Sequence, residues 1–162
     1  MNLLTFFAFV KTLHLLFASI WIGGIILTVV INRALRRTMP ADEATKTLGV
    51  IGRSIQTTMR YSLYLAIATG LLLLLIRGIT PTRLVDPIFY TTRFGTFLLS
   101  KIIFVLLILA LLPLHSRLGE KLHMTNDRAT YIRLRRNILL VGWASLGFTI
   151  LVALLGALLR LS

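Results

Sequence analysis

The chain has 162 residues, of which 57% are hydrophobic and only 14% charged. A soluble domain is about a quarter charged and less than half apolar, so these proportions argue against a soluble enzyme, and they exclude a disordered chain, which would be poor in apolar residues. Lysine and arginine number 18 against 5 acids, a formal charge of +13, but the polar length is too short for a nucleic-acid module, and the lack of cysteine removes disulfides, thiolate metal sites and cysteine nucleophiles.

The first apolar run covers about 3–32 and holds Lys11 and His14 within it. It has no basic n-region and no small-residue cleavage site, so it reads as a permanent span rather than a signal peptide. The segment 33–60 then carries Arg33, Arg36, Arg37, Lys46, Arg53 and Arg60. Within it, Pro40, Asp42 and Glu43 have the pattern of the first turn of a short helix, with proline at an allowed position and acids at the positive end of the dipole. The second span, about 56–77, is short, and Arg60 and Arg77 snorkel to its two interfaces. Pro81 and Pro87 mark an irregular connection. The third span, about 94–116, is interrupted only by Lys101. The segment 117–136 carries Arg117, Lys121, Arg128, Arg133, Arg135 and Arg136, and Asn126 and Asp127 are placed to cap the helix leading into the fourth span, about 137–160. Gly23 and Gly24 in the first span, and Thr149, Ala153 and Ala157 on one face of the fourth, are positions where another helix could approach closely.

A hydrocarbon core of about 30 Å takes about 20 helical residues to cross, and backbone groups in lipid must pair within their own helix. The expected fold is therefore an all-α membrane protein, a four-transmembrane-helix bundle forming one domain over 1–162. Basic loops stay cytoplasmic, so 33–60 and 117–136 are expected inside and both termini outside, in a bacterial inner membrane whose anionic headgroups attract the excess positive charge.

Ionisable side chains inside a membrane are costly and are functional candidates by default. At 1.5 Å per residue, His14 lies roughly 15 Å below the outer end of its span, and Lys11 and Lys101 lie roughly 10 Å deep. All three fall in the outer half of the bilayer, and they converge if spans one and three touch. The five acids, Asp42, Glu43, Asp86, Glu120 and Asp127, are all outside the spans. A buried ammonium pairs or gives up its proton, so Lys101 is neutral, or bonded to hydroxyls or carbonyls, or paired with an anion from outside the chain. A porphyrin, with its apolar ring and its propionates, fits a pocket of one imidazole and one or two amines, and haem iron takes an axial histidine. The competing readings are a histidine bonded within the helices and lysines that snorkel. His115 lies about 21 Å along the third span from Lys101, too far to share the site. His123 reads as a solvated loop residue, and Trp21, Tyr61, Tyr64 and Tyr90 read first as packing and interface anchors. Lys11 and Lys101 occupy similar places in spans one and three, a faint internal echo of a duplicated hairpin.

Lys11-Thr12-Leu13-His14, with Trp21 and then Ile22-Gly23-Gly24, resembles the first helix of the copper-resistance D (CopD) family and of the related HemJ-type protoporphyrinogen oxidases. Ala68-Thr69-Gly70-Leu71 resembles the Thr-Gly-Leu of that family, and Ser100-Lys101 with the leucine-rich run to His115 resembles its third-helix segment. The resemblance covers spans one to three and implies a helical inner-membrane protein with haem b or a porphyrin near His14 and Lys101 as its partner. The expected cofactor-binding residues are His14, Lys101, Lys11 and Trp21, with His14 as the metal ligand. At 25–33, where HemJ-type proteins carry a Pro-Arg-Leu-aromatic run, this chain reads Ile-Ile-Leu-Thr-Val-Val-Ile-Asn-Arg. Cu(I) favours thiolate and thioether ligands, and Met1, Met39, Met59 and Met124 are terminal, in loops or near an interface.

The leading expectation is a haem- or porphyrin-binding membrane protein with redox activity. The alternative is a non-catalytic accessory subunit of a larger respiratory or photosynthetic membrane complex, and the third is metal or ion transport; the expected protein partner is a second copy of the chain or such a complex. No phosphate loop, dinucleotide fingerprint or metalloprotease motif is present.

Overall fold

The computed structural model describes residues 2–125 and 127–159, with the side chains of Ala41, Asp42, His123 and Arg128 left out. Asn126, Arg160, the side chain expected at Asp42 and that of His123 therefore lie outside the description. The expected all-α class with four membrane-spanning helices is the one observed: four helices are long and apolar enough to cross a bilayer, and no strand occurs among the described residues. They are α1 (Leu3–Thr38), α2 (Ala41–Ile76), α4 (Arg93–Met124) and α5 (Arg128–Leu158), with a short α3 (Pro81–Val85) and a 3-10 turn (Pro87–Thr91) between α2 and α4.

The chain divides into two compact units, Met1–Arg83 and Leu84–Ser162. Each is built on a helical hairpin, α1 against α2 in the first and α4 against α5 in the second. Few side chains are buried in either: Val10, Trp21, Ala44, Ser62, Leu63, Ala66 and Ile79 in the first, Leu98, Ile108 and Thr149 in the second. In α1 only 6% of the most apolar window is buried, although its mean hydropathy is 2.2. A water-soluble protein does not expose long apolar surfaces of this kind; lipid is the solvent they fit.

The helices outrun the spans expected from charge-free runs. α2 starts at Ala41 rather than near 56, so Pro40, Asp42 and Glu43 open a 36-residue helix and not a short one. α1, also of 36 residues, carries Arg36 and Arg37 in its last turn. At 1.5 Å per residue each is about 54 Å long, more than the roughly 30 Å core. Lysine, arginine and glutamine are good helix formers, so a run of charge ends a membrane span without ending the helix. Pro40, at the α2 N-cap, and Met39 are all that separates α1 from α2. Pro113 lies inside α4, which continues past it to Met124. Of the small residues on α5, Thr149 is buried, while Ala153 and Ala157 are exposed.

Asp127 caps α5, as expected. Its carboxylate accepts from the backbone N–H groups of Ala129 at 3.3 Å and Thr130 at 2.9 Å, and from the Thr130 hydroxyl at 2.6 Å. The Thr130 hydroxyl, then the two amides, hold this carboxyl below the usual aspartate range. A depressed folded-state value means that the contribution is complete above the unfolded-state pKa and is lost as the pH falls through the folded one. Asp127→Ala is therefore expected to lower the melting temperature at pH 7 and to converge with the parent chain in acid. A constant difference across a pH series would contradict this cap.

Candidate functional site

His14 is the best-defined of the expected residues. It is half-buried on α1, and its Nδ1 lies 2.8 Å from the carbonyl oxygen of Ala66 on α2. A carbonyl only accepts, so Nδ1 carries the proton and donates. The Thr69 hydroxyl is 3.3 Å from the same nitrogen and itself donates to the Leu65 carbonyl at 2.7 Å, so it too faces Nδ1 as an acceptor. In a neutral ring this tautomer places the lone pair on Nε2, the nitrogen with which a metal would bond. Donation from one ring nitrogen to a backbone carbonyl is also how proteins orient a ligating histidine and raise its basicity.

Gly70 explains why the ring fits there. A Cβ at this position would come 3.1 Å from His14 Cε1 and 3.4 Å from Nδ1. Glycine thus leaves the space that the imidazole edge occupies, and Thr69 beside it supplies the oxygen. Both belong to the Thr-Gly-Leu segment, whose physical role in this hairpin is to seat His14.

Trp21 is 5% exposed, two turns beyond His14 on α1, and belongs to the packing of unit one. Lys11 is half-buried on α1, one turn from His14. One turn before Lys11 on α1 is Phe7, and the Arg77 guanidinium at the C-terminal end of α2 lies 5.6 Å from the centre of its ring, a cation–π contact. Gly24 faces Met59, which would have to move for a Cβ, whereas Gly23 has no such neighbour. Beside Gly24, Ile20, Leu27, Ile55 and Met59 line a cleft of about 230 Å³. It is smaller than the usual ligand pocket and contains neither His14 nor Lys11, so it is not a porphyrin site.

Lys101 belongs to unit two. It is half-buried on α4, and its Nζ points to Gly156 on α5, where a Cβ would approach to 3.3 Å. Among the described residues no ion pair or hydrogen bond to this amine is formed. The structure thus joins Lys11, His14 and Trp21 in one hairpin and sets Lys101 against a glycine in the other. His115 is half-buried on α4, and no group of three histidine or carboxylate side chains that could hold a metal occurs among the described residues.

Sequence reasoning reached His14 but not what holds it. The partner is the backbone carbonyl of Ala66, which has no side-chain signature. Gly156 was equally silent, although a glycine inside an apolar helix is a signal of close approach.

No protein-family model, curated protein or solved structure matches the chain. The functional reading rests on the residues themselves.

Proposed function

We propose that the chain is an integral protein of a bacterial inner membrane that binds haem b or a related porphyrin through His14. One observation carries this reading: the Nδ1–H of an intramembrane histidine donates to the Ala66 carbonyl, which leaves Nε2 as the basic nitrogen. A bland core histidine needs only one satisfied nitrogen, but a seat made of a carbonyl, a hydroxyl and a missing Cβ sets the ring's orientation as well as its tautomer. A single imidazole suits haem, which brings four ligand nitrogens of its own, and it does not need the three-residue cluster of a bare metal site.

His14 would be the axial ligand. Lys11, one turn away on the same helix, would answer a propionate, and Trp21 would stiffen the helix pair behind the ligand. Haem iron would supply one-electron redox chemistry to the membrane phase. The basic ends at 33–60 and 117–136 are assigned to the cytoplasmic side and both termini to the outer side, following the positive-inside rule. His14 then lies in the outer half of the bilayer.

The test is the absorption spectrum of the full chain, purified in mild detergent after expression with sufficient haem. We expect a Soret band at about one haem per chain, lost in His14→Ala. A colourless protein that also takes up no hemin on titration would overturn the proposal.

A further inference from the structure

The outward face of α2 carries a second feature that His14 does not use. Arg53, Gln56, Arg60 and Tyr64 follow one another at spacings of three, four and four, which sets them in one stripe along the helix. All four are exposed. Lys46, one heptad above Arg53, continues the stripe upward and is exposed as well. Below Tyr64 the same face turns apolar through Ile67, Leu71 and Leu75, of which the two leucines are exposed. The stripe is thus cationic at one end, phenolic in the middle and aliphatic at the other.

Its surroundings on the hairpin are apolar. His14 meets Ala66 and Gly24 faces Met59, and this antiparallel register sets Arg60 about level with 20–23 of α1 and Arg53 about level with 27–30. At that level α1 exposes Ile26, Leu27, Val29 and Val30. One helix of the hairpin therefore shows exposed aliphatic side chains where the other shows two guanidinium groups. Among the described residues neither arginine is in an ion pair. Glu43, the acid of this hairpin with a described side chain, is ten residues from Arg53 along the helix, about 15 Å away. A guanidinium at the edge of a span, beside exposed aliphatic surface, is best matched by an anion, and its planar fork suits a phosphate.

We propose that this stripe is a binding site for one anionic phospholipid. The phosphate sits between Arg53 and Arg60, the Gln56 amide and the Tyr64 hydroxyl donate to the headgroup and glycerol region, and the acyl chains run down over Leu71 and Leu75. The stripe matches the amphiphile in order and in length: two turns of charge, one of phenol and three of aliphatic surface. A diffuse attraction of the basic hairpin end for anionic headgroups would not need the charges on one face, or continued into an aliphatic track. The site is independent of His14 and of any haem.

The experiment is native mass spectrometry of the full chain, delipidated in detergent and then given phosphatidylglycerol or phosphatidylcholine. The parent chain is expected to retain one phosphatidylglycerol and to release phosphatidylcholine. Arg53→Gln with Arg60→Gln should weaken retention by about tenfold or more, because both basic contacts to the phosphate are lost. Arg36→Gln with Arg37→Gln removes the same charge at the end of α1 and should change it by less than about twofold. Equal losses in the two double variants, or no loss in either, or equal retention of both lipids by the parent chain, would overturn the site. If the first double variant does not remain monodisperse, Tyr64→Trp decides. The emission it adds to that of Trp21 and Trp143 in the parent chain should be quenched more strongly by brominated phosphatidylglycerol than by brominated phosphatidylcholine, and equal quenching of that added emission would contradict the proposal.

Discussion

Gly95→Ala is expected to cost about 3 kcal/mol of stability, at the upper end of what overpacking does, because nothing near it can yield. Gly95 is in the first turn of α4 and is buried. A Cβ there would run into the backbone carbonyl of Phe89. That carbonyl is fixed from the other side: it accepts from the Thr92 hydroxyl at 2.7 Å, while the Thr92 oxygen accepts from the Gly95 N–H at 3.0 Å. The Thr96 hydroxyl holds the neighbouring Tyr90 carbonyl at 2.9 Å, and the Phe89 ring packs edge-on against Tyr90 and Phe94. The turn that feeds α4 is thus tied to the helix by backbone atoms, with no flexible side chain to move aside. Gly119→Ala, in the same helix, has nothing within 4 Å of its Cβ and should instead stabilise by up to about 1 kcal/mol, the intrinsic difference in helix propensity. Thermal unfolding in detergent should show opposite signs for the two substitutions. A shared sign would mean that the close approach at Gly95 is relaxed at little cost.

The second large effect is at Gly70. Leucine there would occupy the space of the His14 ring edge and push Nδ1 off the Ala66 carbonyl, with His14 itself intact. Losing such an orienting partner lowers metal affinity by about 10- to 100-fold. Hemin titration of Gly70→Leu should show that loss with the chain still folded. Unchanged affinity would mean that the seat formed by α2 is irrelevant to binding.

The four spans could be read from the sequence because exclusion of charge from hydrocarbon is severe, and 12–32, 61–76 and 137–159 contain none. The helix ends could not. Arg36, Arg37, Lys46 and Arg53 mark the edge of lipid and at the same time favour helix, so the periodicity that joins Arg53 to Arg60 and Tyr64 emerges only once α2 is known to start at Ala41. His14 stood out because an imidazole among leucines is expensive. The Ala66 carbonyl that orients it did not, since every residue has one. Thr69 and Gly70 were visible only as a family-like motif, and the hairpin supplies their physical reason. Asp127 was legible as a cap because aspartate before a helical run meets the unpaired N–H groups of the first turn, and this local rule needs no tertiary information.

Imidazole rescue of a His14→Ala chain tests the central claim most directly. If Nε2 of His14 is the ligand, the variant purified without imidazole lacks the Soret band of the parent, and millimolar imidazole restores it without restoring the covalent link to α1. A His14→Ala chain whose spectrum matches the parent before any imidazole is added would place the iron, and with it the function argued from this hairpin, elsewhere.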